Sequence, residues 1–420
     1  MDKQKLQPLK GFRDFLPDDA RKRQFAQDSI RNTFKSFGFE PLETPAIEYQ
    51  EVLLGKYGDE ADKLVYKFED LGGRPVALRY DQTVPTSRVL ATYNQQLPNP
   101  FRRYQIQTVW RAEKPQAGRF REFLQCDADI YGSASPLADA EVIALADSIY
   151  KNLGFENYKI YINDRNILFE LMRDGGIPEE LHFAVIAEID KLDRRSEEEV
   201  SETLKLRGLD DSTIKHLFHH LEEEKPTDFL KKIIQNAKSL GVDGDKISFQ
   251  ARLARGLDYY TSTIFEIKID GYKAGSVAGG GRYDKLIGKL SGTEIPAIGF
   301  AVGFDRTVEA MDQFKLFPNQ KSYTQALVSI FNPELTQQSA IIASNLRNNG
   351  IVSELYTDDS VRLDKQLKYA DKKGIKWFIV IGPEEVEKNS VILKNLESGH
   401  QEEVKLEDLV EKLKTPINPT

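Results

Sequence analysis

The chain reads as an α+β protein: an antiparallel sheet flanked by helices, interrupted by a helical insertion and followed by a smaller α/β domain. Three observations predict this. Short runs between Lys67 and Gln125 alternate apolar and polar side chains, as antiparallel strands do. From about Glu170 to Gly244 the sequence turns charged and helix-periodic, unlike either flank. Beyond a linker at Leu316 to Gln325, strand and helix patterns alternate in a βαβ rhythm. With 420 residues, two or three domains are expected.

The elements follow in order. Pro17 opens a helix that Asp18 or Asp19 is expected to cap, with Ala26, Ile30, Phe34 and Phe37 as its apolar face and Gly38 as its stop. FEPLETPAIEY is extended, because Pro41 and Pro45 forbid a helix. VALRYD, RRYQIQTVWRAE and RFREFLQCDADIYG are strands, the last two joined by a hairpin loop at KPQAG. ADAEVIALADSIYKNLG is a helix ended by Gly154, and YKIYIND a further strand. After the insertion, ISFQARLARGLDYYTSTIFEIKI is strand-like, AGSVAGGGRYDKLIG is glycine-rich, and AIGFAVGFDRTVEAMDQF runs from strand into helix. The last domain offers strands at ALVSIF, VSELY and WFIVIG, with helices through AIIASNLRNNG and LDKQLKYADKKG.

Composition narrows the function classes. Hydrophobic content of 40% and charged content of 30% are those of a soluble globular protein. A net charge of −8 argues weakly against a nucleic-acid binder, although phosphate affinity depends on local basic patches rather than the total. The single cysteine, Cys126, permits no disulfide framework and fits a reducing cytosol. MDKQKLQPLKG has no apolar core, and Trp377 to Ile381 is too short to span a bilayer. A cytoplasmic protein without a membrane segment is the expectation. HLFHH sets His216, His219 and His220 at helical spacing, but no fourth ligand is evident and no protein-held metal site is expected.

The informative stretch is VWRAEKPQAGRFREFLQCDADIYG. On a strand, residues two apart share a face, so Arg111 points with Glu113, and Arg119, Arg121, Phe123, Gln125, Asp127 and Asp129 point together. That face passes from guanidiniums, across an aromatic ring, to an amide and two carboxylates. Guanidinium forks suit phosphate oxygens, an aromatic face suits a nucleobase, and carboxylates suit an ammonium or an imidazole N–H. A solvated strand with cross-strand ion pairs would carry the same residue types.

Arg-x-Glu, a hairpin loop and Arg-x-x-x-Phe resemble motif 2 of the class II aminoacyl-tRNA synthetases; GFAVGFDR resembles motif 3 and SFGFEPLETPAIEY motif 1. LARGLDYYTSTIFEI and AGGGRYDKLIG resemble two signatures peculiar to the histidyl-tRNA synthetases. The resemblance implies ATP held by Arg111 (α-phosphate), Phe123 (adenine), Glu113 (adenine or metal side), Arg306 (γ-phosphate), and Arg119 and Arg121 as candidates for the outer phosphates. It implies a catalytic pair, Arg255 and Arg111, with Arg255 supplying positive charge as the histidine carboxylate attacks phosphorus. Histidine would be held at its ammonium by Asp81, Thr83 and Gln125, with Asp129 facing the imidazole and Tyr259 and Tyr260 closing the pocket. Many bacterial members of the family carry glutamate in place of Asp129.

Further implications are Mg²⁺ accompanying ATP, a homodimer built through motif 1, and histidine tRNA as partner. Gln116 would contact the tRNA's acceptor end, and a lysine stripe at Lys365, Lys368, Lys372 and Lys376 would face it. The domains would be a catalytic domain at 1–169 and 245–317, an insertion at 170–244 and an anticodon-binding domain at 324–420. The expected activity is that of a histidine–tRNA ligase. The alternative is a synthetase-like, histidine-sensing regulatory subunit of ATP phosphoribosyltransferase, against which Phe123, Arg255, Arg306 and the last domain all count.

Overall fold

A computed structural model describes residues 6–54, 64–114, 120–193, 195–254 and 259–414. The chain divides into two units, Met1–Phe317 and Pro318–Thr420.

The strands of the first unit are β1 (Glu40–Pro41), β2 (Ile47–Tyr49), β3 (Lys67–Glu69), β4 (Pro75–Leu78), β5 (Phe101–Trp110), β6 (Glu122–Tyr131), β7 (Tyr158–Asp164), β8 (Ile247–Phe249), β9 (Thr263–Ile269), β10 (Ala278–Arg282) and β11 (Ala297–Gly303). Its principal helices are α1 (Pro17–Ser36), α2 (Thr83–Tyr93), α3 (Pro136–Asn152), α4 (Arg165–Asp174), α5 (His182–Ile189), α6 (Glu197–Leu206), α7 (Asp211–Glu223), α8 (Asp228–Ser239) and α9 (Phe304–Gln313). The large sheet has the order β1-β5-β6-β11-β10-β9-β7-β8, antiparallel except for the parallel outer pairs β1–β5 and β7–β8. A small antiparallel sheet, β2-β4-β3, stands apart from it.

Strand periodicity sorts the two faces of the large sheet. Cys126, Ala128 and Ile130 of β6 point into a core shared with Ala26, Ile30 and Phe34 of α1 and with Ala140, Ala144 and Ile149 of α3. Cys126 is fully buried there and burial pushes its thiol up, so it packs and does not react. The odd-numbered residues of β6 face the other way.

Several details differ from expectation. Neither Asp18 nor Asp19 caps α1; Leu16 occupies the N-cap position, Pro17 starts the helix, and both aspartates sit in the first turn, where they complement the helix dipole. ISFQARLARGLDYYTSTIFEIKI is not one extended stretch: β8 and β9 lie on opposite sides of β7, with a turn at Ala251–Arg252 between them. In the insertion, α4 to α7 enclose their own core through Leu168, Met172, Ile186, Leu204 and Leu217. Helix α8 instead lends Leu230, Ile233 and Ala237 to the main core.

The second unit holds β12 (Ala326–Val328), β13 (Ser353–Leu355), β14 (Trp377–Val380), β15 (Ser390–Asn395), β16 (Gln401–Lys405) and the helices α10 (Thr336–Asn348) and α11 (Leu363–Lys373). Its sheet order is β13-β12-β14-β15-β16, with the first three strands parallel and the last two antiparallel to their neighbours. Gly374, at φ 72°, ends α11 in the left-handed region that a side chain would disfavour. Among the described residues no helix is long and apolar enough to cross a membrane.

Candidate active site

The register of the sheet builds the site in rows. Across β6, Phe123 lies opposite Val109; Gln125 lies between Gln107 and Gly303; Asp127 between Gln105 and Ala301; Asp129 between Arg103 and Gly299. Each row is about 7 Å from the next, the rise of two strand residues. Small residues on β11 keep the floor low beside the longer side chains of β5 and β6.

At one end is an acidic pocket. Arg103, fully buried, approaches Asp129 Oδ2 at 2.5 Å, and the Tyr283 hydroxyl donates to Asp129 Oδ1. Asp129 lies over Gly299, where a Cβ would collide with its Oδ1. Desolvation works against the charge on Arg103, but Asp129, Tyr131 and Asp127 outweigh it, so the guanidinium stays protonated. Asp127, 4% exposed, has an Oδ1 with no hydrogen-bond partner. Burial pushes the carboxyls of Asp127 and Asp129 up, and Arg103 partly offsets both shifts. Tyr259 packs 4.8 Å from Tyr260 and 5.7 Å from Tyr283, centroid to centroid. The Tyr260 ring lies over Gly281, where a Cβ would come within 2.8 Å of it.

Asp81 reaches the pocket from the loop before α2. Gln82 Nε2 donates to the carbonyls of Gln107 (2.9 Å) and Gln125 (3.1 Å), pinning that loop to β5 and β6. Asp81 Oδ1 accepts from the Val84 N–H at 3.2 Å, and Thr83 begins the helix half-buried beside it. Burial raises the Asp81 carboxyl to about 6, against the pull of Arg111 and Arg103.

At the other end the groups are basic and aromatic. Arg111 stacks its guanidinium 5.1 Å from the Phe123 ring centroid and donates from Nε to the Tyr80 carbonyl at 3.1 Å. Arg121 donates from Nε to the Glu113 carbonyl at 3.1 Å and lies across Gly11, where a Cβ would touch its side chain at 2.9 Å. The segment containing Gly11 is a strap: Arg13 stacks on Phe120 and donates to Asp305 at 2.9 Å, and Arg23 of α1 donates to the same carboxylate at 2.5 Å. Asp305 therefore anchors the strap to the first turn of α9 rather than capping that helix. Next along the helix, Arg306 donates from Nη1 to the Ser276 carbonyl at 3.0 Å.

Of the residues singled out in the sequence, Asp81, Thr83, Arg111, Glu113, Phe123, Gln125, Asp129, Tyr259 and Tyr260 gather on this face or its borders. Arg121 lies at the base of the hairpin and Arg306 beyond the end of β11. Arg255, Arg119 and Gln116 lie outside the described residues. The sequence reading missed Arg103, Gln82, Gln107 and Tyr283. The signal for the β5 residues was present: Arg103, Gln105 and Gln107 share the parity of Arg111 along one strand. The rings of His216 and His220 lie 4.2 Å apart, centroid to centroid, and tilted, but among the described residues no group of three ligating side chains is placed to hold a metal.

An antiparallel sheet of this order, with an arginine and a phenylalanine paired at its hairpin and an arginine on the helix leaving its central strand, defines a class II aminoacyl-tRNA synthetase. Known proteins narrow the class. A family model for histidyl-tRNA synthetase matches residues 11–307, and one for an anticodon binding domain matches residues 325–415. A histidine–tRNA ligase of Gloeobacter violaceus is 38% identical over 96% of this chain and 97% of its own length. One of Cytophaga hutchinsonii is 37% identical over 96% of this chain and 98% of its own. The crystal structure of histidyl-tRNA synthetase from Nostoc superposes with a TM-score of 0.85 at 29% identity, covering 97% of this chain and 98% of that one. The chain belongs to the histidyl-tRNA synthetase family.

Proposed function

We infer that the protein is a histidine–tRNA ligase, which activates L-histidine with ATP to histidyl-adenylate and passes the histidyl group to the 3′ end of histidine tRNA. The observation that carries this reading is the gradient along β6, from the Arg111–Phe123 stack to the carboxylates two and three rows away. A nucleotide and an amino acid laid end to end need that order of groups. The match over the last domain favours the ligase over a regulatory subunit that does not charge tRNA.

Each half-reaction then has its groups. Arg111 holds the α-phosphate, Phe123 stacks on adenine, and Arg306, Arg119 and Arg121 serve the outer phosphates. Arg255 supplies the second positive charge at phosphorus, so that charge developing in attack is met by fixed guanidiniums. Asp81, Thr83 and Gln125 receive the ammonium, Tyr259 and Tyr260 wall the pocket, and Asp129, beside Arg103 and Tyr283, faces the imidazole. Mg²⁺ would neutralise the triphosphate; it takes few protein ligands beside phosphate oxygens, and the half-buried Glu113 carboxylate is an oxygen donor of that kind.

For the second half-reaction, Gln116 meets the acceptor end, and Lys365, Lys368 and Lys372, exposed on α11, face the tRNA with the half-buried Lys376. Exposed Ile47 and Tyr49 of motif 1, with Phe68 on the same small sheet, support a homodimer built through motif 1. The buried, free Cys126 suits a cytoplasmic location. The test is histidine-dependent ATP–pyrophosphate exchange together with charging of a histidine tRNA transcript.

Asp81 gives a pH-dependent prediction. Its folded pKa, about 6, lies above the ordinary 3.8, so the folded state binds the proton more tightly than the unfolded chain. The stability this group contributes is complete below the ordinary value and is lost as pH rises through the folded one. Asp81→Asn is therefore expected to melt above the wild type at pH 8, with the difference vanishing toward about pH 4, because Asn cannot ionise. Its histidine KM should rise steeply at every pH. Thermal melts and exchange kinetics at both pH values check the two halves.

A further inference from the structure

We propose that Arg13 is a positioning residue: it braces Arg121 and Arg306, two of the guanidiniums assigned to the outer phosphates, at the spacing a triphosphate needs. The inference rests on the histidine–tRNA ligase reading and adds to it a residue that touches no substrate.

Three observations carry it. The first is where the sheet stops. The ladder between β6 and β11 ends at Gln125–Gly303. Arg121 precedes that rung on one side, and Arg306 follows it on the other, in the first turn of α9. Backbone pairing fixes the spacing of residues within a ladder and not past its end. Beyond the last rung, the spacing of the two arginines depends on what bridges their segments.

The second is the bridge. The strap before α1 meets the β6 side through its backbone. The Arg121 N–H donates to the Gly11 carbonyl at 2.9 Å, and the Arg111 N–H donates to the Arg121 carbonyl at 2.8 Å. Arg121 Nη1 donates to the Lys10 carbonyl at 3.4 Å. Gly11, at φ 91°, lets the Arg121 side chain lie across it. Arg13 then spans to α9. Its guanidinium lies 3.2 Å from the Phe120 ring centroid, and its Nη2 donates to Asp305 Oδ1 at 2.9 Å. Phe120 directly precedes Arg121, and Asp305 directly precedes Arg306. One planar, charged group therefore links the neighbour of one arginine to the neighbour of the other, by a stack on one side and an ion pair on the other.

The third is the anchor. Arg23 of α1 donates to the same Asp305 oxygen at 2.5 Å, and its guanidinium lies 3.9 Å from the Phe15 ring and 4.8 Å from that of Phe304, a buried core residue. Arg13 lies 4.8 Å from the same Phe15 ring. The α9 end of the brace is thus fixed to the core. Two cations on Asp305 also offset its negative charge beside Arg306, where a triphosphate approaches.

The test compares ligands that differ in their outer phosphates: ATP, and a sulfamoyl analogue of histidyl-adenylate, which has none. Arg13→Ala should raise the KM for ATP in histidine-dependent exchange by about tenfold or more, and the KM for pyrophosphate with it, since small displacements of positioning groups are costly. The KM for histidine and the inhibition constant of the analogue should stay near wild type. The melting temperature should move little, because Arg23 stays on Asp305. Asp305→Asn should show the same ligand pattern, and the double variant should be no worse than the poorer single, since both break one bridge. Wild-type constants for ATP and pyrophosphate in a folded Arg13→Ala, or an equal loss for the analogue, overturn the proposal; so does full additivity in the double variant. If Arg13→Ala does not fold, Arg13→Lys decides, because it keeps the charge at Asp305 and loses the planar stack. A loss confined to ATP and pyrophosphate then supports the brace, and any other result contradicts it. Failure of the wild type to exchange with histidine would sink the ligase reading itself, a result distinct from these.

Discussion

Arg111→Ala is expected to lower the kcat of histidine-dependent exchange by about a thousandfold with the fold intact, because it removes a fixed charge from the point where phosphorus accumulates negative charge. The side chain is half-buried at the end of β5, and it is aimed by two contacts that need no substrate: the Phe123 ring beneath it and the Tyr80 carbonyl at its Nε. In the proposed function its terminal nitrogens serve the nucleotide. Removing it exposes the Phe123 face and breaks one hydrogen bond, so the melt should move little. Arg111→Lys should recover only a small part of the rate, since an ammonium offers a point charge and not a planar fork. Exchange within tenfold of wild type in Arg111→Ala would remove the residue from the chemistry.

Gly299→Ala is expected to abolish histidine activation and to destabilise the protein together. A Cβ there would strike Asp129 Oδ1 and approach the Ala128 carbonyl at 2.8 Å, so either Asp129 leaves Arg103 or the β6–β11 ladder opens. Breaking a buried ion pair while leaving its partner in place costs about 3–5 kcal/mol. The double variant Gly299→Ala with Asp129→Ala, set beside Asp129→Ala alone, separates the causes, because Arg103 lacks its partner in both. The two should melt alike if the side-chain collision dominates, and neither should activate histidine. A double variant that melts well below Asp129→Ala would place the strain in the backbone instead.

Legibility in the sequence followed the range of the physics. Period-two alternation identified β5 and β6, and it set Phe123, Gln125, Asp127 and Asp129 on one face, because parity is a local property. The helical insertion stood out by composition, yet the return of α8 to the main core did not, since Leu230 and Ile233 look alike whichever core they join. Gly281 and Gly299 carried no assigned contact in the sequence, where they stood only as parts of a glycine-rich run and of GFAVGFDR. Their actual use, making room for Tyr260 and Asp129 on neighbouring strands, depends on a register that no single strand encodes. The strap from Gly11 to Arg13 was invisible for the same reason, because its partners Arg121 and Asp305 lie far along the chain. Arg103 was missed although its parity was available, because an isolated arginine on a strand is most often solvated, and only Asp129 opposite it makes it a buried pair.

The central claim is that one sheet face carries a nucleotide at its basic, aromatic end and a histidine at its acidic end. ATP–pyrophosphate exchange with each of the twenty amino acids in turn tests it most directly. The account predicts strong exchange with histidine and background exchange with the other nineteen; exchange driven by a different amino acid, or by none, would contradict it.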